Sequence, residues 1–136
     1  MTEHDEQVAV IQWARLQSFA YPSLEWLHAI PNGAKLPWRK NSKGQRYSPE
    51  AMRLKAEGLT PGICDLFLPY AAHSYHGFYI ELKRPGNIGG VRDGQKEFMA
   101  YCEKAHYLAQ VFDNADDAIQ ALKWYVEMDG DDLGYE

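Results

Sequence analysis

The sequence predicts a small α/β domain, and three observations lead to that prediction. Segments with helical apolar spacing alternate along the chain with short runs rich in branched and aromatic residues. The length of 136 residues fits one domain with a single core. The composition, 46% apolar and 24% charged, is ordinary for a globular domain. We expect one domain over residues 1–128, followed by an acidic tail over 129–136.

The first thirty residues are predicted to contain a helix and a strand. An apolar stripe predicts a helix over residues 3–20, which Tyr21-Pro22 would end. The composition of residues 25–30 favours a strand, and Pro31-Asn32-Gly33 indicates a turn after it. A helix leading into a short strand is therefore the expected start of the domain.

The rest of the chain continues the alternation. Residues 34–47 contain Gly, Asn, Ser and Pro and are predicted as a loop. Ser48-Pro49 is typical of a helix start and Gly58 of a helix end, which predicts a short helix over 49–57. The later elements are expected to be strands over 63–69, 77–84 and 106–112, a helix over 92–105, and a helix from Asn114 to Met128.

The formal net charge of −5 conceals an uneven distribution. Residues 34–58 carry seven basic and two acidic side chains, whereas residues 113–136 carry eight acidic side chains and one basic one. Trp38 and Tyr47 lie among the cations, as a surface that binds nucleic acid by stacking requires. Net charge therefore does not exclude DNA. Solvated surface remains the alternative for both segments, and we prefer it for the acidic end.

Membrane and secreted proteins are disfavoured by the sequence. Its apolar runs fall short of the roughly 20 residues that cross a membrane. The acidic start of the chain lacks the apolar region of a signal peptide. Cys64 and Cys102 are too few for a disulfide framework and favour a reducing compartment. We expect a cytoplasmic protein without a membrane partner.

Asp65, Glu81 and Lys83 are the residues that indicate chemistry. Glu81 and Lys83 lie two apart on one predicted strand, so their side chains emerge on the same face. Asp65 begins the preceding strand, and a hairpin between the two strands would bring it near Glu81. Two carboxylates in apolar surroundings need a neutralising partner, and a divalent cation such as Mg²⁺ suits them. A cross-strand ion pair beside a solvated aspartate is the alternative.

The spacing of Asp65 and Glu81-Leu82-Lys83 resembles the D…ExK signature of the PD-(D/E)xK nucleases. More specifically, the chain resembles the virus-type replication-repair nuclease (VRR-NUC) family. The matching pieces run in order along nearly the whole chain: Glu3 and Gln7, Ile30 to Gly33, Gly58, Gly62 to Leu66, Ile80 to Arg84, Gln95 and Phe98. Cys64 departs from the pattern, because many members have proline there.

This resemblance implies a fold and a set of site residues. The fold would be a restriction-endonuclease-like core, a mixed central β-sheet flanked by helices, within a single stand-alone, phage-type nuclease domain. Asp65 and Glu81 would hold Mg²⁺ or Mn²⁺, with the carbonyl of Leu82 as a further ligand. Lys83 would be the catalytic lysine. Gln95 would be a further catalytic residue that faces the site from the following helix, where its amide would orient water or a phosphate.

An acidic residue on the first helix usually completes such a site. Glu3 fits the family's Glu-xxx-Gln spacing with Gln7, while Glu6 lies on nearly the same helical face. We place Glu3 first as the additional metal ligand and keep Glu6 as the alternative.

The resemblance also implies DNA as the substrate. We expect a homodimer that cuts branched DNA such as four-way junctions in a bacterial or phage-infected cell, with no protein partner implied. A nonspecific or nicking nuclease, or a catalytically silent DNA-binding module, are the alternatives. The residues predicted to contact DNA are Asn32, Lys35, Arg39, Lys40, Lys43, Arg46 and Arg84.

Overall fold

The structure, a computed structural model, describes residues 2–31 and 36–127. Its helices are α1 (Glu3–Gln17), a 3₁₀ helix (Pro22–Trp26), α2 (Pro49–Ala56), α3 (Asp93–Lys104) and α4 (Ala115–Val126). Its strands are β1 (His28–Ala29), β2 (Arg39–Lys40), β3 (Arg46–Tyr47), β4 (Leu66–Leu68), β5 (Phe78–Leu82) and β6 (Leu108–Phe112). Within these residues, none of the helices has the length and apolar character needed to cross a membrane.

A mixed sheet with strand order β1-β4-β5-β6 forms the centre of the fold. β4 is antiparallel to both β1 and β5, whereas β5 and β6 run parallel. A parallel pair needs a long crossover, and α3 supplies it between β5 and β6. The predicted α/β class, with a mixed central sheet flanked by helices, is therefore confirmed.

The two faces of the sheet have different roles. Phe78, Ile80 and Leu82 are buried on one face, in the core that α1 and α4 cover. The intervening residues of β5 point to the other face because side chains alternate along a strand. The ring of Tyr79 on that face meets the Phe98 ring of α3, with centroids 4.9 Å apart. Glu81 consequently lies on the side of the sheet that α3 covers.

The hairpin predicted from the two central apolar strands is confirmed. Leu66 lies opposite Ile80 and Leu68 opposite Phe78 in an antiparallel ladder.

Ser48 accepts a hydrogen bond from the Ala51 amide and caps α2 as predicted. Asn114 does the same for α4 through the Asp117 amide, at 2.8 Å. Met128 and the predicted acidic tail lie outside the described residues.

The region after α1 differs from the prediction. α1 ends at Gln17, and Phe19 is 85% exposed. The buried line of α1 is formed instead by Glu6, Val10 and Ala14. The predicted strand over 25–30 is wrong over its first half, because Pro22 starts a 3₁₀ helix there. The Arg15 guanidinium stabilises this turn by donating to the carbonyls of Leu24, Glu25 and Leu27.

The prediction of a loop over residues 34–47 is also wrong in part. β2 and β3 pair as an antiparallel hairpin. Its turn is held by the Asn41 side chain, whose oxygen accepts from the amides of Lys43 and Gln45, both at 2.9 Å. An asparagine that bonds its own following backbone is a known turn signal, and here it determines a hairpin between two-residue strands.

A close contact between two glycines fixes the loop before Asp65 against α3. Gly62 has φ +91°, and a Cβ there would lie 2.7 Å from the carbonyl oxygen of Gly94. Only a residue without a side chain fits this position. The contact sets the distance between the β4 end of the sheet and the first turn of α3, which carries Gln95.

We expect Gly62→Ala to lower the free energy of unfolding by about 1–3 kcal/mol, since it adds both a clash and a strained φ. Gly94→Ala is the matched control. Its Cβ would meet only the Gly62 Cα at an ordinary 3.9 Å, and alanine favours a helix by roughly 0.5–1 kcal/mol over glycine. Urea denaturation of both variants and of the wild type tests this. If Gly62→Ala is as stable as Gly94→Ala, the contact between the two glycines does not contribute to stability.

Candidate active site

Asp65 directly precedes β4, beside the end of β5 that carries Glu81. Its carboxylate accepts a hydrogen bond from the backbone amide of Leu82 at 2.8 Å. Its carbonyl accepts from the amide of Ile30 at 2.8 Å, which continues the pairing of β1 with β4. The side chain is 8% exposed. Asp65 is thus fixed both by its backbone and by its side chain, beside the strand that carries Glu81.

Glu81 is a buried carboxyl with one oxygen satisfied and one orphaned. It is 2% exposed. Its Oε2 accepts a hydrogen bond from the Gln95 amide and lies 3.6 Å from Lys83 Nζ. Its Oε1 is buried without a hydrogen-bond partner among the described residues. Buried carboxylate oxygens are normally hydrogen-bonded, so this oxygen requires either a proton shared with the adjacent Asp65 carboxyl or a ligand from outside the chain.

The electrostatics of Glu81 lead to the same conclusion. Burial, and next the neighbouring Asp65 carboxyl, raise the pKa of Glu81 from its ordinary value of 4.5 to about 8, while Lys83 opposes the change. Removal from water and a neighbouring carboxyl both disfavour the ionised form of Glu81. A divalent cation between the two carboxyl groups would remove this penalty.

Lys83 and Gln95 form a short network above Glu81. Lys83 is 8% exposed, and its Nζ donates to the Gln95 side-chain oxygen at 2.9 Å. The same oxygen accepts from the backbone amide of Arg92 at 3.1 Å, which anchors Gln95 in the first turn of α3. The amide nitrogen of Gln95 donates to Glu81. Gln95 therefore fixes the relative positions of the lysine and the carboxylate.

These residues fit a divalent cation bound by oxygen ligands. Asp65 and Glu81 offer adjacent carboxylates, one with a free buried oxygen. The Leu82 amide points toward Asp65, and the carbonyl of a strand residue points to the same side as its amide. Mg²⁺ is commonly bound by one or two carboxylates, with water completing its shell. Among the described residues, a third Asp, Glu, His or Cys does not join the pair.

The two acidic candidates on α1 have different surroundings. Glu6 is 5% exposed, and its carboxylate accepts a hydrogen bond from the amide of Ala115 at 2.6 Å. It caps the start of α4, where a negative charge is favourable. Glu3 is partly exposed in the first turn of α1. The assignment of Glu3 as a metal ligand stays a prediction, while the carboxylate of Glu6 already has a structural partner.

Two single variants separate these roles. Glu6→Ala leaves the Ala115 amide buried without its acceptor, so we expect a loss of about 1–3 kcal/mol in the free energy of unfolding. Glu3→Ala is expected to leave the melting temperature unchanged and to reduce the DNA cleavage that the family resemblance implies. Thermal melts and cleavage assays on both proteins check this. A loss of cleavage by Glu6→Ala at an unchanged melting temperature would reverse the assignment.

The residues predicted to contact DNA occupy the β2–β3 hairpin and its neighbourhood. Arg39 pairs with Glu50 at 3.2 Å, and the Arg46 guanidinium lies 5.4 Å from the Trp38 ring centroid. The remaining predicted residues in the described chain are exposed; they are Lys40, Lys43 and Arg84. Asn32 and Lys35 lie outside the described residues. DNA contact stays a prediction for the whole set.

The capping role of Glu6 and the double contact of Gln95 were not predicted from the sequence. Glu6 lies four residues before Val10, on the buried line of α1, and a carboxyl on an apolar helix face is the signal that it has a buried partner. The bridge made by Gln95 depends on the distance between α3 and β5, which the sequence does not encode locally.

Comparison with known proteins shows the family of this chain and supports its fold. The model of the VRR-NUC domain family matches residues 1–116. Two solved chains match; one, from a protein described as a VRR_NUC domain protein, superposes with a TM-score of 0.72 and 27% sequence identity. The alignment covers 93% of this chain and 89% of the other. A search of curated proteins finds no match.

Proposed function

Because the chain belongs to the VRR-NUC family of PD-(D/E)xK nucleases, we propose that it is a divalent-metal-dependent endonuclease that hydrolyses phosphodiester bonds in DNA. Mg²⁺ or Mn²⁺ would be the cofactor. The observation that carries the proposal is the buried Oε1 of Glu81, which lacks a hydrogen-bond partner among the described residues. Glu81 lies beside the Asp65 carboxyl, and its other oxygen forms an ion pair with Lys83 at 3.6 Å.

Asp65, Glu81 and the Leu82 carbonyl are the groups that would hold the metal. When bound there, a divalent cation would supply a lowered pKa for water and a positive charge that offsets negative charge on the phosphoryl group. Asp65 is oriented for this by the Leu82 amide, and Glu81 by the Gln95 amide. The ligands are thus preorganised by hydrogen bonds from the protein.

Lys83 would stabilise the transition state directly. Its ammonium group is largely withdrawn from water, so its charge acts on a nearby phosphate with little screening. It can also hold the attacking water by donating a hydrogen bond. Gln95 is a positioning residue in this scheme, because it contacts Lys83 and Glu81 rather than the reacting phosphate.

Branched DNA is the substrate that we propose within this activity. An enzyme that resolves a four-way junction cuts two strands in a symmetric way, and a twofold homodimer presents two identical sites for that task. The exposed basic residues of the β2–β3 hairpin would contact the phosphates.

Cleavage of labelled DNA tests the proposal. A four-way junction, a matched linear duplex and a flap are incubated with the protein in Mg²⁺, Mn²⁺ or EDTA. We expect metal-dependent cleavage with the junction cut fastest, and a dimer mass by light scattering. Equal, slow cleavage of all substrates would support a nonspecific nuclease. Metal-independent binding without any cleavage would support a silent DNA-binding module instead.

A further inference from the structure

A connected row of aromatic rings lies on the sheet face that carries the candidate site. Its members are His28, Phe67, Tyr79, Tyr107 and His76, here called the aromatic row. Neighbouring ring centroids along it are 5.9, 4.3, 5.8 and 5.6 Å apart. The mechanism above uses none of these rings.

The row is accessible rather than part of the sealed core. His28 and His76 at its two ends are exposed, and Phe67, Tyr79 and Tyr107 between them are half-buried. α3 covers the row only in part, through the contact of Phe98 with Tyr79.

Gly77 maintains the position of the Phe67 ring. A Cβ at Gly77 would lie 2.7 Å from an edge carbon of that ring. The backbone of Gly77 therefore supports the ring from one side. The Phe67 ring is thereby fixed on the part of the sheet face that α3 does not cover.

The row continues directly into the candidate active site. Tyr79 and Glu81 are two residues apart on β5 and share a face, which places their Cα atoms about 6.6 Å apart. A nucleic-acid strand with its phosphate beside Lys83, next to Glu81, would bring the adjoining nucleotides over the rings. Aromatic and histidine rings bind unpaired bases by stacking, with little sequence preference.

We propose that the aromatic row is a stacking surface for unpaired bases of the DNA strand next to the cleavage site. Bases inside a duplex are already stacked on each other, so the row favours single-stranded or junction-distorted DNA. A second copy of the chain is a poorer occupant, because a subunit covering the row would also obstruct the face that holds Glu81 and Lys83. The proposal rests on the proposed function, since the nuclease site supplies the strand.

Binding measured without cleavage tests the row. The full chain is titrated in EDTA with a fluorescein-labelled oligothymidylate and with an abasic strand of equal length and charge. We expect the wild type to bind the strand with bases more tightly. Phe67→Leu with Tyr107→Leu should weaken that binding by roughly five- to hundredfold and leave the abasic strand unaffected.

The controls address folding and unrelated aromatic residues. His28→Ala removes an exposed end of the row without disturbing the core, and should lose part of the same preference. Phe19→Leu removes an aromatic ring that is 85% exposed and outside the row, and should change nothing. Unchanged base preference in His28→Ala and in a folded Phe67→Leu, Tyr107→Leu protein would overturn the proposal.

Junction cleavage in Mg²⁺, measured on the same proteins, separates the two proposals. Cleavage by the wild type together with base-independent binding would refute the aromatic row alone. Base-dependent binding in a protein that cuts nothing would refute the nuclease proposal and leave base stacking on the row as a property of DNA binding alone. Dissociation of a dimer by the row variants, with unaltered base preference, would identify the row as a subunit interface and overturn the proposal.

Discussion

Replacing Lys83 with methionine is expected to reduce the single-turnover cleavage rate by about 10²–10³-fold, the usual effect of removing a group that stabilises transition-state charge. The substitution keeps the apolar stem and removes the ammonium that donates to Gln95. Since the stem still fills its place on the sheet, we expect the protein to remain folded. Rapid-quench cleavage of a labelled junction measures the rate, and a thermal melt establishes the fold.

Lys123→Met is the matched control for this experiment. Lys123 lies on α4, 50% exposed, and pairs with Glu127 at 3.8 Å on the surface. Removing it deletes one positive charge from the protein without touching the site, so cleavage should be unchanged. If both lysine variants cut at the wild-type rate, Lys83 has no catalytic role. If Lys83→Met and Lys123→Met lose activity equally, the loss results from the change in net charge and not from a catalytic role of Lys83.

Glu81→Gln is expected to abolish cleavage while stabilising the metal-free protein at alkaline pH. The wild-type carboxyl has its pKa raised to about 8 by burial and by Asp65, against 4.5 ordinarily. A group with a raised pKa in the folded state contributes stability below its unfolded pKa and loses it as the pH rises toward the folded pKa. The wild type without metal should therefore become less stable between about pH 4.5 and pH 8.

Glu81→Gln has no carboxyl to titrate at this position. Its melting temperature in EDTA should therefore exceed that of the wild type by several degrees at pH 8 and by little at pH 4.5. Glutamine also keeps an oxygen to accept from Gln95 and gains a donor for Asp65. Saturating Mg²⁺ should stabilise the wild type and leave the variant unchanged. If the melting temperatures of the wild type and of Glu81→Gln in EDTA change with pH in the same way, Glu81 is not the buried titrating group.

Much of this fold follows from local sequence signals. Ser48 and Asn114 were identifiable as helix caps because a short polar side chain precedes each helical pattern. The two central strands were identifiable from their apolar runs and bounding turns. Their pairing placed Asp65 beside Glu81, as expected from a hairpin.

The errors have physical causes. Phe19 belongs to the apolar pattern of the first segment, yet α1 ends before it, and its ring is left exposed. The β2–β3 hairpin has strands of two residues, too short for a periodic pattern. Its turn depends on hydrogen bonds to the Asn41 side chain, and an asparagine indicates a turn without showing that strands flank it.

The candidate site was predictable in its residue types and less so in its geometry. The strand period alone places Glu81 and Lys83 on one face. Gln95 reaches them because Gly62 allows the loop before β4 to approach the first turn of α3. That approach is a tertiary contact between residues far apart in the sequence, and the fold had to be known to see it.

A Mn²⁺ titration followed by electron paramagnetic resonance tests whether Asp65 and Glu81 form a divalent-cation site. We expect the wild-type protein to bind Mn²⁺ saturably, with Mg²⁺ competing, and Glu81→Gln to lose this binding. Glu97→Gln, an exposed glutamate on α3, serves as the control and should bind as the wild type does. Undiminished Mn²⁺ binding by a folded Glu81→Gln protein would show that Glu81 is not a ligand and that the cation site lies elsewhere.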